Sequence, residues 1–242
     1  MLTLLDTGVH SAEENMRLDA ELLDKLGPKD KPILHFYEWA SPSATHGYFI
    51  QPGNHLDLKR GEALGLDLAR RPTGGGIVFH IWDLAFSFLM PSDHPAFSLN
   101  TLENYRFVNR IVLDAMSSFL QKSLELTPQD AVAMGADCKN FCMAKPTQYD
   151  VVYQGMKIAG SAQRRRKQGY LHQGTISLAY PQIEFLEEVL LSKKEIVEAM
   201  QAYTFAPLGK VWEPKQLKEA RGEIRKHIHD KLIERLADFE IR

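Results

Sequence analysis

A run of three glycines beside two arginines is the first feature of this sequence that could bind a ligand. Residues 70–76 read RRPTGGG. Successive glycines permit backbone conformations that are closed to residues with a Cβ, and their N–H groups can approach a ligand closely. The arginines supply positive charge for a carboxylate or a phosphate. The GxxxxGK[ST] and GxGxxG spacings of nucleotide loops are absent, so both an anion-binding turn and a flexible loop remain open.

A lysine within a segment of small residues is the second such feature. Residues 155–163 read GMKIAGSAQ, with Lys157 ahead of Gly160. A backbone with so little side-chain bulk allows an extended ligand to approach closely. A lysine at that place could polarise a carbonyl group or neutralise a phosphate. A surface lysine in a hairpin is the alternative interpretation.

The two cysteines, Cys138 and Cys142, lie four residues apart. A disulfide-rich scaffold would need more cysteines in a shorter chain, and the low count fits a reducing compartment. Zinc would need four nitrogen or sulfur ligands. Because His172 is the one histidine between His94 and His227, we predict no metal site. A cysteine thiolate can carry an acyl group, whereas a small buried side chain is the alternative.

The densest cluster of charge is the sequence RRRK at residues 164–167. Nucleic-acid binding is disfavoured because the chain carries a net charge of −2 and no aromatic residues interleave the cluster. The cluster could instead clamp an acidic partner or a phosphate, or it could form a solvated loop. His227 and His229 lie in a charged C-terminal helix, and we assign them to the surface.

Composition limits the class of protein further. Of the 242 residues, 44% are hydrophobic and 25% are charged, values typical of a soluble globular protein. They exclude a disordered chain, a collagen-like chain and a bulk polyanion binder. The N-terminus lacks the features of a signal peptide. The apolar stretch around Ile81–Met90 is interrupted by Asp83 and is too short to span a bilayer. We therefore predict a cytoplasmic protein with no membrane partner.

Periodicity and turn residues predict the elements that must position these groups. Helices are predicted at about Ala12–Leu26, Leu102–Leu126, Ser192–Ala202 and Pro214–Phe239. Strands are predicted at Ile33–Trp39, Gly47–Gln51, Ile77–His80, Leu84–Met90 and Gly169–Leu178, with a hairpin formed by Tyr149–Tyr153 and Lys157–Ala159. Because strands and helices do not alternate strictly, the pattern favours an α+β fold over a doubly wound parallel sheet.

Five motifs in chain order resemble those of the lipoate–protein ligase A and octanoyltransferase family, from about residue 7 to about residue 190. The first two are similar to its opening helix with the N-M-x-x-D core and to its fYxWxxP…lGYf strands. The others are similar to its RRxTGGGxVfH signature, its acyl-binding lysine segment and its HHGT strand. In this chain the five motifs are Ser11–Asp19, His35–Pro42 with Gly47–Phe49, Arg70–His80, Tyr149–Gln163 and His172–Ile176.

The resemblance implies a fold and a domain organisation. We expect a single α+β domain over residues 1–242, similar to the catalytic domain of biotin and lipoate–protein ligases, with a mixed sheet flanked by helices. The last 35 or so residues are expected to form a helical C-terminal segment, and no separate accessory domain is expected.

The resemblance also implies an activity. The family attaches an octanoyl or lipoyl group to a specific lysine of lipoyl domains, in 2-oxoacid dehydrogenases or the glycine cleavage H protein. Lys157 and Cys142 are the expected catalytic residues. No tightly bound cofactor is expected, and lipoate or octanoate is the expected substrate. The residues expected to bind the acyl group or a nucleotide are Arg70, Arg71, Thr73, Gly74, Gly75, Gly76, Val78, His80, Gly160, Ser161, Ala162, His172, Gly174 and Thr175.

Two routes exist in the family. In one, octanoyl passes from acyl carrier protein through a cysteine thioester, here on Cys142. In the other, ATP with Mg and free lipoate form an acyl-adenylate. Residues 142–150 resemble the CFxxPSxYE motif of the cysteine-using octanoyltransferases, and Asp83-Leu84 resembles their E-L pair.

Two further features bear on the choice of route. Gly76 departs from the octanoyltransferase branch, which usually has arginine there, whereas ligases carry three glycines. Stand-alone ligases usually carry an accessory domain, and only about 60 residues follow the last matched strand here. We favour the thioester route. The adenylate route is the alternative, and a non-catalytic pseudoenzyme that binds lipoyl domains is a minor alternative.

Overall fold

The structure is a computed structural model that describes residues 2–180 and 182–240. Ten strands are assigned within these residues: β1 (Thr3–His10), β2 (Ile33–Trp39), β3 (Ser43–His46), β4 (Asp67–Arg70), β5 (Ile77–His80), β6 (Asp83–Pro91), β7 (Glu125–Leu126), β8 (Val151–Tyr153), β9 (Met156–Arg166) and β10 (Gly169–Ser177). The α-helices are α1 (Ala12–Lys25), α2 (Leu58–Ala63), α3 (Thr101–Leu120), α4 (Ile183–Val189), α5 (Lys193–Tyr203) and α6 (Pro214–Glu240).

The strands form two sheets. The larger sheet has the order β1-β2-β6-β10-β9-β8-β7, and all its neighbours are antiparallel except β1 and β2, which run parallel. The smaller sheet has the order β4-β3-β5, with β3 parallel to β4 and antiparallel to β5. Both sheets therefore contain parallel and antiparallel pairs of strands, in agreement with the predicted mixed sheet.

Two of the four hydrophobic clusters among the described residues are large. Side chains of β6, β9 and β10 pack with α3 and α6 in the main cluster, which includes Phe88, Ile111, Ile158 and Ile224. A second cluster joins the smaller sheet to α4 and α5 around Phe141. The smaller sheet and the segment around Phe141 thus share a core outside the main cluster.

Most of the predicted elements are confirmed to within a few residues. Helix α1 begins as predicted, since the Ser11 side chain accepts a hydrogen bond from the Glu14 N–H. The hairpin between β8 and β9 turns at Gln154-Gly155 as predicted, and both residues have positive φ. The predicted helix Leu102–Leu126 is too long. It ends at Leu120, because Gln121 adopts the left-handed conformation and residues 125–126 form a strand.

The strand predicted at Gly47–Gln51 is wrong. The strand lies earlier, at Ser43–His46, and residues 47–49 turn against the glycine run, where the Tyr48 N–H donates to the Thr73 carbonyl. Strands β1, β4 and β7 and helices α2 and α4 were not predicted. The side chains of β1 are exposed or half-buried, so it lacks the alternation that reveals a strand in sequence.

No helix in the two described ranges is long and apolar enough to cross a membrane. The longest, α6, places Ile224 in the main core cluster and leaves Ile233 46% exposed.

Shortening a buried side chain of α6 should test how much the packing of this helix stabilises the domain. Ile224→Ala removes a fully buried side chain and should lower the free energy of unfolding by about 2–5 kcal/mol. Ile233→Ala, on the same helix, should change it by less than about 0.5 kcal/mol. Chemical denaturation of both variants measures the difference, and equal values would show that α6 does not stabilise the domain through this face.

Candidate active site

A cavity of about 190 Å³ lies where strands of the two sheets face each other. The glycine turn after β4, the strands β5, β9 and β10, and residues of the segment 139–147 line it. Twelve of the residues predicted to act at the site border this cavity: Arg71, Gly75, Gly76, Val78, His80, Cys142, Lys157, Gly160, Ser161, Ala162, Gly174 and Thr175.

Four predicted site residues do not line the cavity: Arg70, Thr73, Gly74 and His172. Arg70 is exposed on the outer side of the turn, and Thr73 is buried with its hydroxyl donating to Gln173 Oε1 at 2.7 Å. His172 lies on the opposite face of β10 from Gln173, because side chains alternate along a strand. Burial lowers the pKa of His172 to about 3, so this imidazole is neutral.

The Lys157 side chain is 3% exposed and forms an ion pair inside the cavity wall. Its Nζ lies 2.7 Å from Asp150 Oδ2 and donates to the Cys142 carbonyl oxygen at 2.8 Å. An ammonium group has three N–H donors, so one donor remains for a ligand in the cavity that Lys157 lines. Without Asp150 the buried charge would be uncompensated, which costs roughly 3–5 kcal/mol.

Asp150 is a site residue that the sequence prediction did not select. Its carboxylate also accepts hydrogen bonds from the Thr147 N–H and hydroxyl, at 2.6 and 2.8 Å. The preceding residue, Tyr149, has φ +68°, and its carbonyl accepts from Asn109 Nδ2 on α3 at 2.8 Å. The turn that presents Asp150 is thus fixed by a buried amide. The motif at residues 142–150 was the available signal, since it ends on this acid.

The Cys142 thiol is half-buried and lies against the glycine turn. Its Sγ accepts a hydrogen bond from the Gly76 N–H at 3.2 Å, and its own N–H donates to the Ile77 carbonyl at 3.1 Å. A Cβ on Gly76 would lie 2.3 Å from the Asn140 carbonyl oxygen, too close for any side chain without movement. Glycine at position 76 is therefore what allows the cysteine segment to dock on β5.

The buried guanidinium of Arg71 holds the glycine turn by hydrogen bonds to its carbonyl groups. Its Nη2 donates to the carbonyls of Gly74 and Gly76 at 2.8 Å, and its Nη1 donates to the Thr45 carbonyl and hydroxyl at 3.0 Å. Gly75 between them has φ +89°, a conformation that favours glycine. The Arg71 guanidinium, which the sequence assigned to ligand binding, thus serves first to hold the shape of the turn.

A line of hydrogen bonds connects Arg71 to Asp83, a buried carboxylate on β6. The Thr45 hydroxyl lies 2.8 Å from His80 Nε2, and His80 Nδ1 lies 2.7 Å from Asp83 Oδ2. Because the carboxylate accepts, the His80 proton belongs on Nδ1, and Nε2 accepts from Thr45. Thr175 also donates to Asp83, at 2.6 Å. The line fixes the orientation of a histidine that faces the cavity.

A second buried carboxylate holds the other end of the glycine turn. Asp19, on α1, accepts from Gln173 Nε2 at 2.6 Å and lies 2.9 Å from His35 Nδ1. Gln173 in turn accepts from the Thr73 hydroxyl. The aspartate of the opening-helix motif is thus connected through one glutamine to the residue that precedes the three glycines.

Within residues 2–180 and 182–240, no group of three or more His, Cys, Asp or Glu side chains could hold a metal ion.

Adding one methyl group at two neighbouring glycines should test how the cysteine segment docks. Gly76→Ala should lower the free energy of unfolding by roughly 1–3 kcal/mol and expose residues 137–145 to limited proteolysis, because the new Cβ meets the backbone of Asn140. Gly74→Ala is the matched control, since no atom lies within 4 Å of its Cβ position and its φ is not positive. Equal protease resistance in both variants would show that docking does not depend on Gly76.

Comparisons with known proteins match this geometry to a family. Residues 11–207 match the family described as the lipoyl protein ligase A/B catalytic domain. The octanoyltransferase LipM of Anoxybacillus flavithermus is 34% identical over 179 residues, covering 72% of this chain and 64% of that protein. The LipM of Lysinibacillus sphaericus is 33% identical over 205 residues, covering 81% and 73%. The matched region thus spans about two thirds of the length of these curated relatives.

Solved structures agree on the fold. A lipoate-protein ligase A bound with ATP superposes with a TM-score of 0.71 at 23% identity, covering 98% of this chain and 85% of that one. A bi-partite lipoate protein ligase from Thermoplasma acidophilum, studied with its E2 lipoyl domain, gives 0.69 at 23% identity, covering 96% and 84%. The predicted α+β fold, with its mixed sheet and flanking helices, is confirmed. The chain belongs to the lipoyl protein ligase A/B catalytic-domain family.

Proposed function

We propose that this chain transfers an octanoyl group from acyl carrier protein to a lysine of a lipoyl domain, through a thioester on Cys142. One observation carries the proposal: the Cys142 thiol and the Lys157 ammonium face the same cavity, and the Gly76 N–H meets the thiol at 3.2 Å. A nucleophile and electrostatic donors around one enclosed space are what acyl transfer needs. The curated LipM relatives, which are octanoyltransferases, support the same class of reaction.

In the first step, the Cys142 sulfur attacks the carbonyl carbon of the octanoyl thioester. A carbon–sulfur bond to Cys142 forms, the bond to the carrier's sulfur breaks, and the thiol proton of Cys142 ends on the released carrier thiol. Negative charge develops on the carbonyl oxygen, where the free N–H of Lys157 can donate. Removal of one such donor costs roughly a hundredfold to a thousandfold in rate.

In the second step, the amine of the acceptor lysine attacks the Cys142 thioester. An amide bond forms, the carbon–sulfur bond to Cys142 breaks, and the amine proton returns to the Cys142 sulfur. The same Lys157 donor serves again, because the carbonyl carbon is the same atom in both steps. The apolar part of the cavity, formed by Met16, Val78, Ala85 and Phe141 among others, suits a hydrocarbon tail, at about 0.8 kcal/mol per buried methylene.

The glycine at position 76 does not by itself favour the adenylate route. Gly76 is shared with ligases, but in this chain its lack of a side chain is explained by the approach of the Asn140 backbone. The cysteine segment that demands this glycine is the one that brings Cys142 to the cavity. The adenylate route, with ATP, Mg and lipoate, remains the alternative; a solved relative is a ligase bound with ATP.

The acceptor follows from the reaction. We propose a lysine on a lipoyl domain of a 2-oxoacid dehydrogenase or of the glycine cleavage H protein. In support, the Thermoplasma acidophilum ligase with the same fold was studied with its E2 lipoyl domain.

Replacing each of the two cysteines separates the thioester route from the adenylate route. Cys142→Ser should reduce transfer from octanoyl acyl carrier protein by at least about a thousandfold, because a hydroxyl is a much weaker nucleophile than a thiolate. Transfer is measured as the mass gain of a lipoyl domain. Cys138→Ser is the matched control; Cys138 is buried, does not line the cavity, and its pKa is raised by burial and by Glu195.

The same pair of enzymes is then supplied with ATP, Mg and lipoate. If Cys142→Ser retains full transfer from both donors, the thioester role is wrong. ATP-dependent transfer that survives in Cys142→Ser, with no transfer from octanoyl acyl carrier protein in the unmodified enzyme, would establish the adenylate route instead.

A further inference from the structure

A basic groove of about 560 Å³ adjoins the acyl cavity. Met16 and Arg71, both buried, line both spaces, so the groove lies directly beside the cavity at these two side chains. Arg17, Arg70 and Arg164 supply the other arginines of the groove, and Glu13 is its single acidic lining residue. A molecule whose acyl end occupies the cavity and whose other end reaches the surface on this side would therefore lie beside a row of guanidinium groups.

Two of these guanidinium groups are held on one aromatic ring. Arg70 Cζ lies 4.7 Å and Arg164 Cζ lies 6.0 Å from the centre of the Tyr48 ring, distances typical of cation–π contacts. Arg164 also donates to the Pro72 carbonyl at 2.9 Å. These contacts fix both groups at the rim of the glycine turn, so little side-chain freedom would be lost when they bind a ligand.

Neither of these two charges is neutralised by a neighbour. Across residues 2–180 and 182–240, no carboxylate oxygen lies within 4.0 Å of the guanidinium of Arg70 or Arg164. Arg17, in contrast, pairs with Glu14 and Glu21. In a chain of net charge −2, two fixed and unpaired guanidinium groups beside an acyl cavity indicate an anionic ligand.

We propose that Arg70 and Arg164 bind the phosphate of the phosphopantetheine arm that delivers the acyl thioester. This inference rests on the proposed function. The arm carries the thioester at one end and a phosphodiester at the other, joined by a neutral chain. With the thioester at Cys142, that chain must run out of the cavity, and the groove offers the phosphate two planar guanidinium donors, which suit its oxygens.

Two small donors that differ only by a phosphate test the inference. Octanoyl-phosphopantetheine and octanoyl-pantetheine are compared as donors to a lipoyl domain, by kcat/KM at low salt. The unmodified enzyme should prefer the phosphorylated donor by roughly tenfold or more, since a charge-assisted hydrogen bond contributes about that factor. In the double variant Arg70→Gln, Arg164→Gln this preference should fall to near one. Arg106→Gln, on an exposed arginine paired with Glu103, should retain it.

The outcomes separate this inference from the proposed function. Equal use of the two donors by the unmodified enzyme, or a preference that survives in the double variant, overturns the phosphate site while the thioester route stands. The unmodified enzyme could instead use the two small donors equally and prefer octanoyl acyl carrier protein over both. If the double variant loses that preference, the phosphate site is also overturned, and the arginines are assigned to binding an acidic protein surface. Transfer from neither thioester overturns the proposed function, and this inference with it.

Discussion

The buried ammonium of Lys157 is the interaction on which the candidate site depends. A charge that is 3% exposed is tolerable only with a partner, and Asp150 Oδ2 at 2.7 Å is that partner. The second hydrogen bond of the ammonium goes to the Cys142 carbonyl. One side chain therefore connects β9, the turn before β8 and the cysteine segment. The ammonium group that would polarise the acyl carbonyl in the proposed reaction also holds the backbone of Cys142, the proposed nucleophile.

The glycine turn completes the site from the smaller sheet. Its shape is set from within by Arg71, and from its two ends by carboxylates on distant elements, Asp19 on α1 and Asp83 on β6. This preorganisation has a chemical consequence. The Gly76 N–H already points at the Cys142 sulfur, so the turn need not rearrange to support charge at that atom. The preceding arginine, Arg70, is exposed and lies against the Tyr48 ring, and the proposed phosphate site uses it.

The sequence predicted which residues line the candidate cavity better than it predicted their contacts. Lys157, Cys142 and the glycines were identifiable, because their chemistry or conformational freedom is local and their motifs occur in order. The contacts of Arg71 and His172 were not, since each depends on neighbours far away in sequence: Arg71 reaches Thr45, and His172 is buried against Phe86 and Tyr105. Asp83 was noted as part of a motif, but its hydrogen bond to His80 appears only in three dimensions. The single-domain organisation over residues 1–242 stays a prediction.

The most direct test of the account is the kinetic competence of an acyl-enzyme. The unmodified enzyme is mixed with one equivalent of octanoyl acyl carrier protein, quenched at successive times, and its intact mass and peptide masses are measured. The account predicts an octanoyl adduct on Cys142 that forms at least as fast as steady-state turnover. When the isolated acyl-enzyme is mixed with a lipoyl domain, its octanoyl group should pass to the acceptor lysine at a rate no slower than turnover. An adduct that is absent, lies on another residue, or transfers more slowly than turnover would contradict the account.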